Sequence, residues 1–249
     1  MPYLDVPAQV LQRSFGIADA DCPDAAIVAG QWSQRAYFDF VRSIWPDARE
    51  IEEHTVLIEE AGRRIWISVV IGAAMAATFA HLGAKLGATA IIQIGSFGGL
   101  ADGWQVGDVL VPSLVVGRDG VSLQMSSNKP IRPDPRLSDL VSDEVTAGLG
   151  MASVRSGTLV TTTTIAFERT SDITRWKRSG YVGVEMECAA TLSVAKHFGI
   201  PTAGAFALMD NLAVGHIVFT RSDDDRRRVA RAKNEIIRAA VASIIRATQ

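Results

Sequence analysis

Apolar runs of strand length alternate along the chain with segments whose apolar residues recur at helical spacing. This alternation is typical of an α/β domain with helices on both faces of one sheet. The predicted strands are 25–29, 56–59, 65–71, 90–94, 109–116, 154–160 and 203–209, the second and third forming a hairpin. The first predicted helix follows the turn at 30–35 and runs through 44. The other predicted helices are 72–86, 137–149, 172–178, 188–198 and 226–247.

None of the remaining segments is expected to separate the chain into two domains. Residues 1–24 are expected to form a peripheral arm or short helix, and 226–247 a long amphipathic C-terminal helix. The polar, proline-containing segment 117–136 is predicted to be a long loop. Because neither a linker nor an internal repeat is present, we expect residues 1–249 to form a single domain.

Composition narrows the class of protein. The net charge is −2, which gives no reason to expect binding to nucleic acid or an anionic membrane surface. No apolar run approaches about twenty residues, and polar residues interrupt the N-terminal segment, so we expect neither a membrane span nor a secretory signal. The two cysteines are far apart and the four histidines lack metal-ligand spacing. The sequence therefore predicts a cytoplasmic, soluble protein without a metal or cofactor.

Three acidic residues occur where apolar segments end. Glu185 and Glu187 flank a methionine before the apolar helix 188–198, and Asp210 follows the strand 203–209. Ligands of open α/β sheets bind beyond the carboxyl ends of strands, and acids in apolar surroundings are costly unless paired or functional. Two alternatives stay open. The glutamates would also stabilise the start of a helix, and Asp210 could be a surface residue ending a strand.

Glycines follow the predicted strand 90–94 directly, in the segment Gly95-Ser96-Phe97-Gly98-Gly99. Backbone amides in such a turn, together with the Ser96 hydroxyl, can hold an anion or a sugar oxygen. A close-packed turn without a ligand also requires glycines. The segment matches neither the dinucleotide-binding fingerprint nor a P-loop.

These segments together resemble a known family. Gly183-Val184-Glu185-Met186-Glu187 with Ala189-Ala190, the glycine-rich segment 95–100, the following 106–109 and the segment 118–122 are similar to motifs of the nucleoside phosphorylases and nucleosidases. That family includes hexameric bacterial purine nucleoside phosphorylase and uridine phosphorylase. The resemblance covers about residues 88–215, and it implies a three-layer αβα domain with a mixed central sheet.

The resemblance also implies roles for individual residues. Glu187 would bind the ribose 2′- and 3′-hydroxyls, and Asp210 would protonate the base as it leaves, which neutralises the leaving group. To donate a proton at neutral pH, Asp210 needs a raised pKa, which partial burial could supply. The implied groups are Glu185, Met186 and Glu187 for the sugar, Ile165, Phe167 and Asn211 for the base, and Gly30, Arg35, His54, Gln93 and Ser96 for phosphate.

The sequence departs from the family's phosphorylases at the phosphate-binding residues. Gln93 stands where the family's phosphorylases have an arginine. The loop 30–35 lacks the family's acid and carries its arginine one position later. Segment 52–55, where a neighbouring subunit's arginine is expected, contains no arginine. Phosphate binding depends on charge-assisted contacts, so these losses should weaken it. Arg35 remains as the obvious candidate, with His54 as a partner.

Three activities therefore stay open. The first is a phosphorylase that cleaves a purine or uridine-type nucleoside with phosphate as co-substrate. The second is a nucleosidase that uses water, although the N-terminal segment lacks the glutamate-rich stretch of the family's adenosine-type nucleosidases. The third is a non-catalytic nucleoside-binding protein. Because the family builds part of each site from a neighbouring subunit, a homo-oligomer, dimer or hexamer, is expected.

Overall fold

In the computed structural model, which describes residues 5–126 and 129–247, a mixed β-sheet is covered by helices on both faces. The strands are β1 (Ala25–Gly30), β2 (Arg49–Glu52), β3 (Thr55–Glu60), β4 (Arg63–Val70), β5 (Ile91–Gly99), β6 (Val109–Gly117), β7 (Val154–Thr161), β8 (Tyr181–Glu185) and β9 (Thr202–Asn211). The helices are α1 (Ala8–Ser14), α2 (Gln34–Ile44), α3 (Gly72–Leu86), α4 (Gly120–Ser126), α5 (Pro135–Leu149), α6 (Thr170–Arg178), α7 (Cys188–His197) and α8 (Asp223–Ala247). Positions 1–4 of the expected arm, 127–128 of the expected loop and 248–249 lie outside the described residues.

The sheet closes on itself at one end. Its strand order is β2-β3-β4-β1-β5-β8-β7-β6-β9, and β9 also pairs with β5. Strands β4, β1, β5 and β9 run parallel, whereas β3 with β4, β5 with β8, and β6 with β9 are antiparallel. The predicted hairpin is therefore confirmed. The closed end, which the sequence pattern did not predict, brings β8 and β9 to opposite sides of β5.

Two apolar layers confirm the three-layer αβα arrangement. On one face, Ile27 and Ile67 pack with apolar residues of α2, α5 and α8. On the other face, Val28 and Trp66 pack with α3 and α7. Alternate residues of β1 and β4 thus enter opposite layers, as expected for strands covered on both sides. Each large aliphatic side chain buried in this way stabilises the fold by about 1.5–3 kcal/mol.

The glycine-rich segment belongs to a strand, and the prediction of a turn there was wrong. Strand β5 continues through Gly99 and pairs along its length with β9. A Cβ at Gly99 would lie 2.9 Å from Leu208 Cδ1, and one at Gly98 would lie 3.1 Å from Leu212 Cδ1. These glycines therefore let neighbouring apolar side chains lie directly on the β5 backbone.

Two other segments differ from the sequence-based assignment. The expected loop 117–136 contains α4, where Asp119 accepts a 2.7 Å hydrogen bond from the Ser122 amide. Helix α8 begins at Asp223, three residues before the predicted start. Three consecutive aspartates occupy its first turn, where the helix dipole favours negative charge. In residues 5–126 and 129–247, no helix is long and apolar enough to span a membrane.

Candidate active site

The carboxyl ends of parallel strands share one edge of the sheet, and several of the predicted site residues lie near it. Gly30 ends β1, Gly72 follows β4, and Asp210 lies near the end of β9. Glu185 ends β8, which pairs with β5 through Gly98 and Gly99. The closed end of the sheet therefore places the end of β8 beside β5, the strand that also pairs with β9 at Asp210.

Glu187 connects three elements at this edge. It immediately precedes α7, and its Oε1 accepts a 2.6 Å hydrogen bond from the Gly72 amide. Its Oε2 lies 2.8 Å from the position that a Cβ on Gly30 would occupy. The side chain is only 6% exposed, and this burial raises the pKa of its carboxyl. Met186, beside it, is half-buried. The Glu187 carboxylate is thus held in place by backbone groups at the sheet edge.

Glu185 makes its hydrogen bonds within the protein. One oxygen accepts a hydrogen bond from the Thr161 hydroxyl, and the other accepts 2.7 Å hydrogen bonds from the amides of Glu187 and Cys188. These two amides open α7, so the carboxylate stabilises the start of that helix. Burial, followed by the charge of Glu187, raises the pKa of Glu185. The helix-starting role that the sequence left open for Glu185 therefore exists in the structure.

A β-bulge sets the position of Asp210. Along β5 and β9, Phe97 pairs with Leu208 but Gly98 pairs with Asp210, so Met209 is the extra residue. Such a bulge changes the direction of the residues that follow it. Asp210 Oδ2 accepts a 3.1 Å hydrogen bond from the Val218 amide. Burial raises the pKa of Asp210, although the Val218 amide, His216 and Arg221 act in the opposite direction. A raised pKa favours the protonated form that a proton donor requires.

Glu168 is a further candidate residue, which the sequence reasoning missed. Its charge and that of Asp210 interact, and its buried Oε1 has no hydrogen-bond partner among the described residues. Burial, with smaller contributions from Asp210 and Asp172, raises the pKa of Glu168 to about 7. Its place in the sequence was the available signal, because it directly follows the Ile165–Phe167 turn, which carries two predicted base-binding side chains.

The predicted base-binding residues occupy different environments. Ile165 and Phe167 are 46% and 80% exposed on a short turn before Glu168. Asn211 is buried and bonded within the protein. Its Nδ2 donates to the carbonyls of Ala101 and Trp104 at 3.2 and 3.4 Å, and its Oδ1 accepts from the Ala213 amide at 3.1 Å. These bonds anchor the segment after β5 to the end of β9.

The predicted phosphate-binding residues are divided between locations. Gln93 is fully buried, and its Oε1 accepts a 2.5 Å hydrogen bond from Thr191 on α7. Ser96 lies three positions along the same strand and so faces the opposite side of the sheet. Arg35 is exposed on the first turn of α2, and the ring of His54 packs edge-on against Phe79 at 5.5 Å between centroids. In residues 5–126 and 129–247, no three His, Cys, Asp or Glu side chains gather where they could hold a metal ion.

Comparison with protein families identifies this architecture. A family model described as the phosphorylase superfamily matches residues 38–245. The chain belongs to the phosphorylase superfamily. The matched region contains Glu187, Asp210 and Glu168, whereas Gly30 and Arg35 precede it. The resemblance seen in the sequence motifs is therefore confirmed at the level of the superfamily.

Two solved structures share the phosphorylase superfamily fold with this chain. Uridine phosphorylase from Vibrio fischeri ES114 is 20% identical with a TM-score of 0.71, and the match covers 98% of this chain and 95% of that chain. Purine nucleoside phosphorylase from Toxoplasma gondii, in complex with immucillin-H, is 18% identical with a TM-score of 0.76, and the match covers 92% of each chain. No curated protein sequence matches the chain at a significant level.

Proposed function

We propose that the chain cleaves the N-glycosidic bond of a nucleoside, with phosphate as the acceptor of the sugar. The observation that carries this proposal is the position of Glu187. Its buried carboxylate, held by the Gly72 amide against Gly30, can accept hydrogen bonds from two neighbouring hydroxyls, as a ribose presents them. Such a contact orients the sugar while positive charge develops at C1′.

Asp210 is proposed as the proton donor. The bond between C1′ and the base nitrogen breaks with its electron pair passing to the base, and the proton of Asp210 moves to the base. A phosphate oxygen forms the new bond to C1′, which gives a pentose 1-phosphate and the free base. The raised pKa of Asp210 supports this role because it keeps more of the carboxyl protonated near neutral pH.

A hydrolytic nucleosidase is the second candidate. It is favoured by Gln93, which is neutral and whose amide nitrogen donates to the Ile94 carbonyl at 3.1 Å while its oxygen accepts from Thr191. This side chain therefore supplies no charge to a phosphate. The third possibility is a non-catalytic nucleoside-binding protein, which would release no base.

One experiment separates these candidates. Base release is measured by chromatography for adenosine, inosine, guanosine and uridine, with and without phosphate. Phosphorolysis predicts release that depends on phosphate and yields the sugar phosphate. Release that is independent of phosphate supports the nucleosidase, and binding without release supports the non-catalytic protein. The panel also identifies the base.

A further inference from the structure

A lysine of α8 contacts the residue that follows β1 at the sheet edge. Lys233 of α8 is half-buried, and its Nζ donates a 2.9 Å hydrogen bond to Gln31 Oε1. Among the described residues, Lys233 forms no ion pair with a carboxylate. Its ammonium group has three N–H donors, so the bond to Gln31 leaves two for another acceptor.

The surroundings of Lys233 disfavour its charge. Burial, with a contribution from the charge of Arg221, lowers the pKa of Lys233 to about 8. Gln31 accepts the hydrogen bond without supplying a negative charge. Two cations whose charges interact in partly buried surroundings are stabilised when an anion binds beside them.

Both cations are connected to the proposed reaction centre through short segments. Gln31 follows Gly30, which lies against the Glu187 carboxylate, and the Gln31 amide donates to the Val70 carbonyl at 3.1 Å. Arg221 Nη1 lies 3.6 Å from Sδ of Met209, the bulge residue before Asp210. An anion bound by Lys233 would therefore lie beside the segment that follows β1, one residue from the glycine that contacts Glu187.

We propose that Lys233, with Gln31 and Arg221, binds the phosphate co-substrate and replaces the missing arginines. This inference rests on the proposed phosphorolysis for the identity of the anion. It also replaces the expectation that Arg35 supplies most of the charge. Arg35 is exposed, and its side chain makes no hydrogen bond to the described residues, whereas Lys233 is half-buried and already oriented by Gln31.

Titration calorimetry with inorganic phosphate tests the assignment directly, without nucleoside. Lys233→Met should weaken phosphate binding by about tenfold or more, because charge-assisted hydrogen bonds are lost. Gln31→Asp should also weaken it, since the new carboxylate would compete for the ammonium. Arg238→Met is the matched control, because it removes a charge from an exposed position of α8 and should leave binding unchanged. Circular dichroism verifies that each variant is folded.

The outcomes separate this inference from the proposed function. Phosphate binding that is lost in Lys233→Met and kept in Arg238→Met supports the assignment, whether or not a nucleoside is cleaved. Unchanged binding in Lys233→Met overturns it, and so does a loss found only in Arg35→Ala; phosphate-dependent base release would then still uphold the proposed function. Failure of the wild type to bind phosphate overturns the assignment, and the base-release panel then decides between hydrolysis and binding alone.

Discussion

The Glu187 carboxylate occupies the space that a side chain on Gly30 would need, with Oε2 2.8 Å from the position of that Cβ. A methyl group there must displace the carboxylate and weaken its 2.6 Å hydrogen bond from the Gly72 amide. We expect Gly30→Ala to lower the rate of base release at least about tenfold, with an overpacking cost of about 1–3 kcal/mol in unfolding free energy. Gly120→Ala is the control, since a Cβ there meets no atom within 4 Å. Equal rates in the two variants would contradict this interpretation.

Glu187→Gln tests the sugar contact itself. If the carboxylate accepts hydrogen bonds from two ribose hydroxyls, the charge-assisted part of each bond is lost, and such bonds contribute about 1.5–3 kcal/mol each. We expect turnover to fall by orders of magnitude while the circular dichroism spectrum is unchanged. Glu59→Gln makes the same substitution at an exposed position of β3 and should be silent. Near-native turnover in Glu187→Gln would remove this residue from the site.

Asp210→Asn tests the proton donor. The variant cannot protonate a leaving base, so we expect a large loss with purine nucleosides and a smaller loss with substrates whose leaving group needs no proton. In the wild type, kcat/KM should fall as pH rises through the elevated pKa of Asp210, because the acid form is then lost. The variant should lack this decrease. Mild, equal losses on all substrates, with an unchanged pH profile, would argue against the acid role.

The sequence predicted the main elements because their patterns are local. Segment 188–198 is apolar on nearly every face, and 203–209 is apolar throughout, so α7 and β9 were recognised within one or two residues of their ends. Glu187 and Asp210 were predicted as site residues because each is an acid directly beside one of these segments. The predicted strand ended at residue 94, whereas β5 continues to Gly99, because glycine has no side chain that reveals its packing. Side chains from a distant part of the chain, including Leu208 and Leu212, lie against Gly98 and Gly99 and leave no room for a Cβ.

The candidate residues that the sequence did not indicate depend on contacts between distant segments. Lys233 and Gln31 are 202 positions apart, and no spacing in the sequence relates them. Glu168 meets the charge of Asp210 only after β7, β8 and β9 have assembled. Gln93 was recognised as a departure from the family, but its bond to Thr191 depends on how α7 packs on β5. Patterns along the chain therefore indicated the candidate residues, whereas their electrostatic partners required the fold.

Exposed aromatic side chains support the expected homo-oligomer. Trp32, Phe167 and Phe219 are 70%, 80% and 88% exposed, and each lies on a segment near the candidate site. Exposed apolar surface of this kind commonly contacts a partner. We expect light scattering at micromolar concentration to give at least a dimer, and Trp32→Ser to weaken assembly. A monomeric wild type would contradict this prediction. Trp66 is fully buried within this chain and so cannot contribute to such a contact.

Glu168 should make the stability of the protein depend on pH. Its pKa is raised from 4.5 to about 7 in the folded state, chiefly by burial and then by the charges of Asp210 and Asp172. The folded state therefore retains a proton that the unfolded chain loses at lower pH. This contribution to stability is complete below pH about 4.5 and is lost as pH rises to about 7, so the unfolding free energy should decrease across that window.

Glu168→Gln isolates this contribution from those of the other buried carboxyls. The glutamine is neutral at every pH, so urea unfolding at pH 5 and pH 8 should show a smaller decrease in stability for the variant than for the wild type. Glu59→Gln, at an exposed position, should retain the wild-type decrease. If Glu168→Gln and the wild type lose the same stability between the two pH values, Glu168 is ionised in the folded protein throughout this range. Its charge would then act on Asp210 at neutral pH, and the decrease of kcat/KM with rising pH would occur at a different pH in Glu168→Gln.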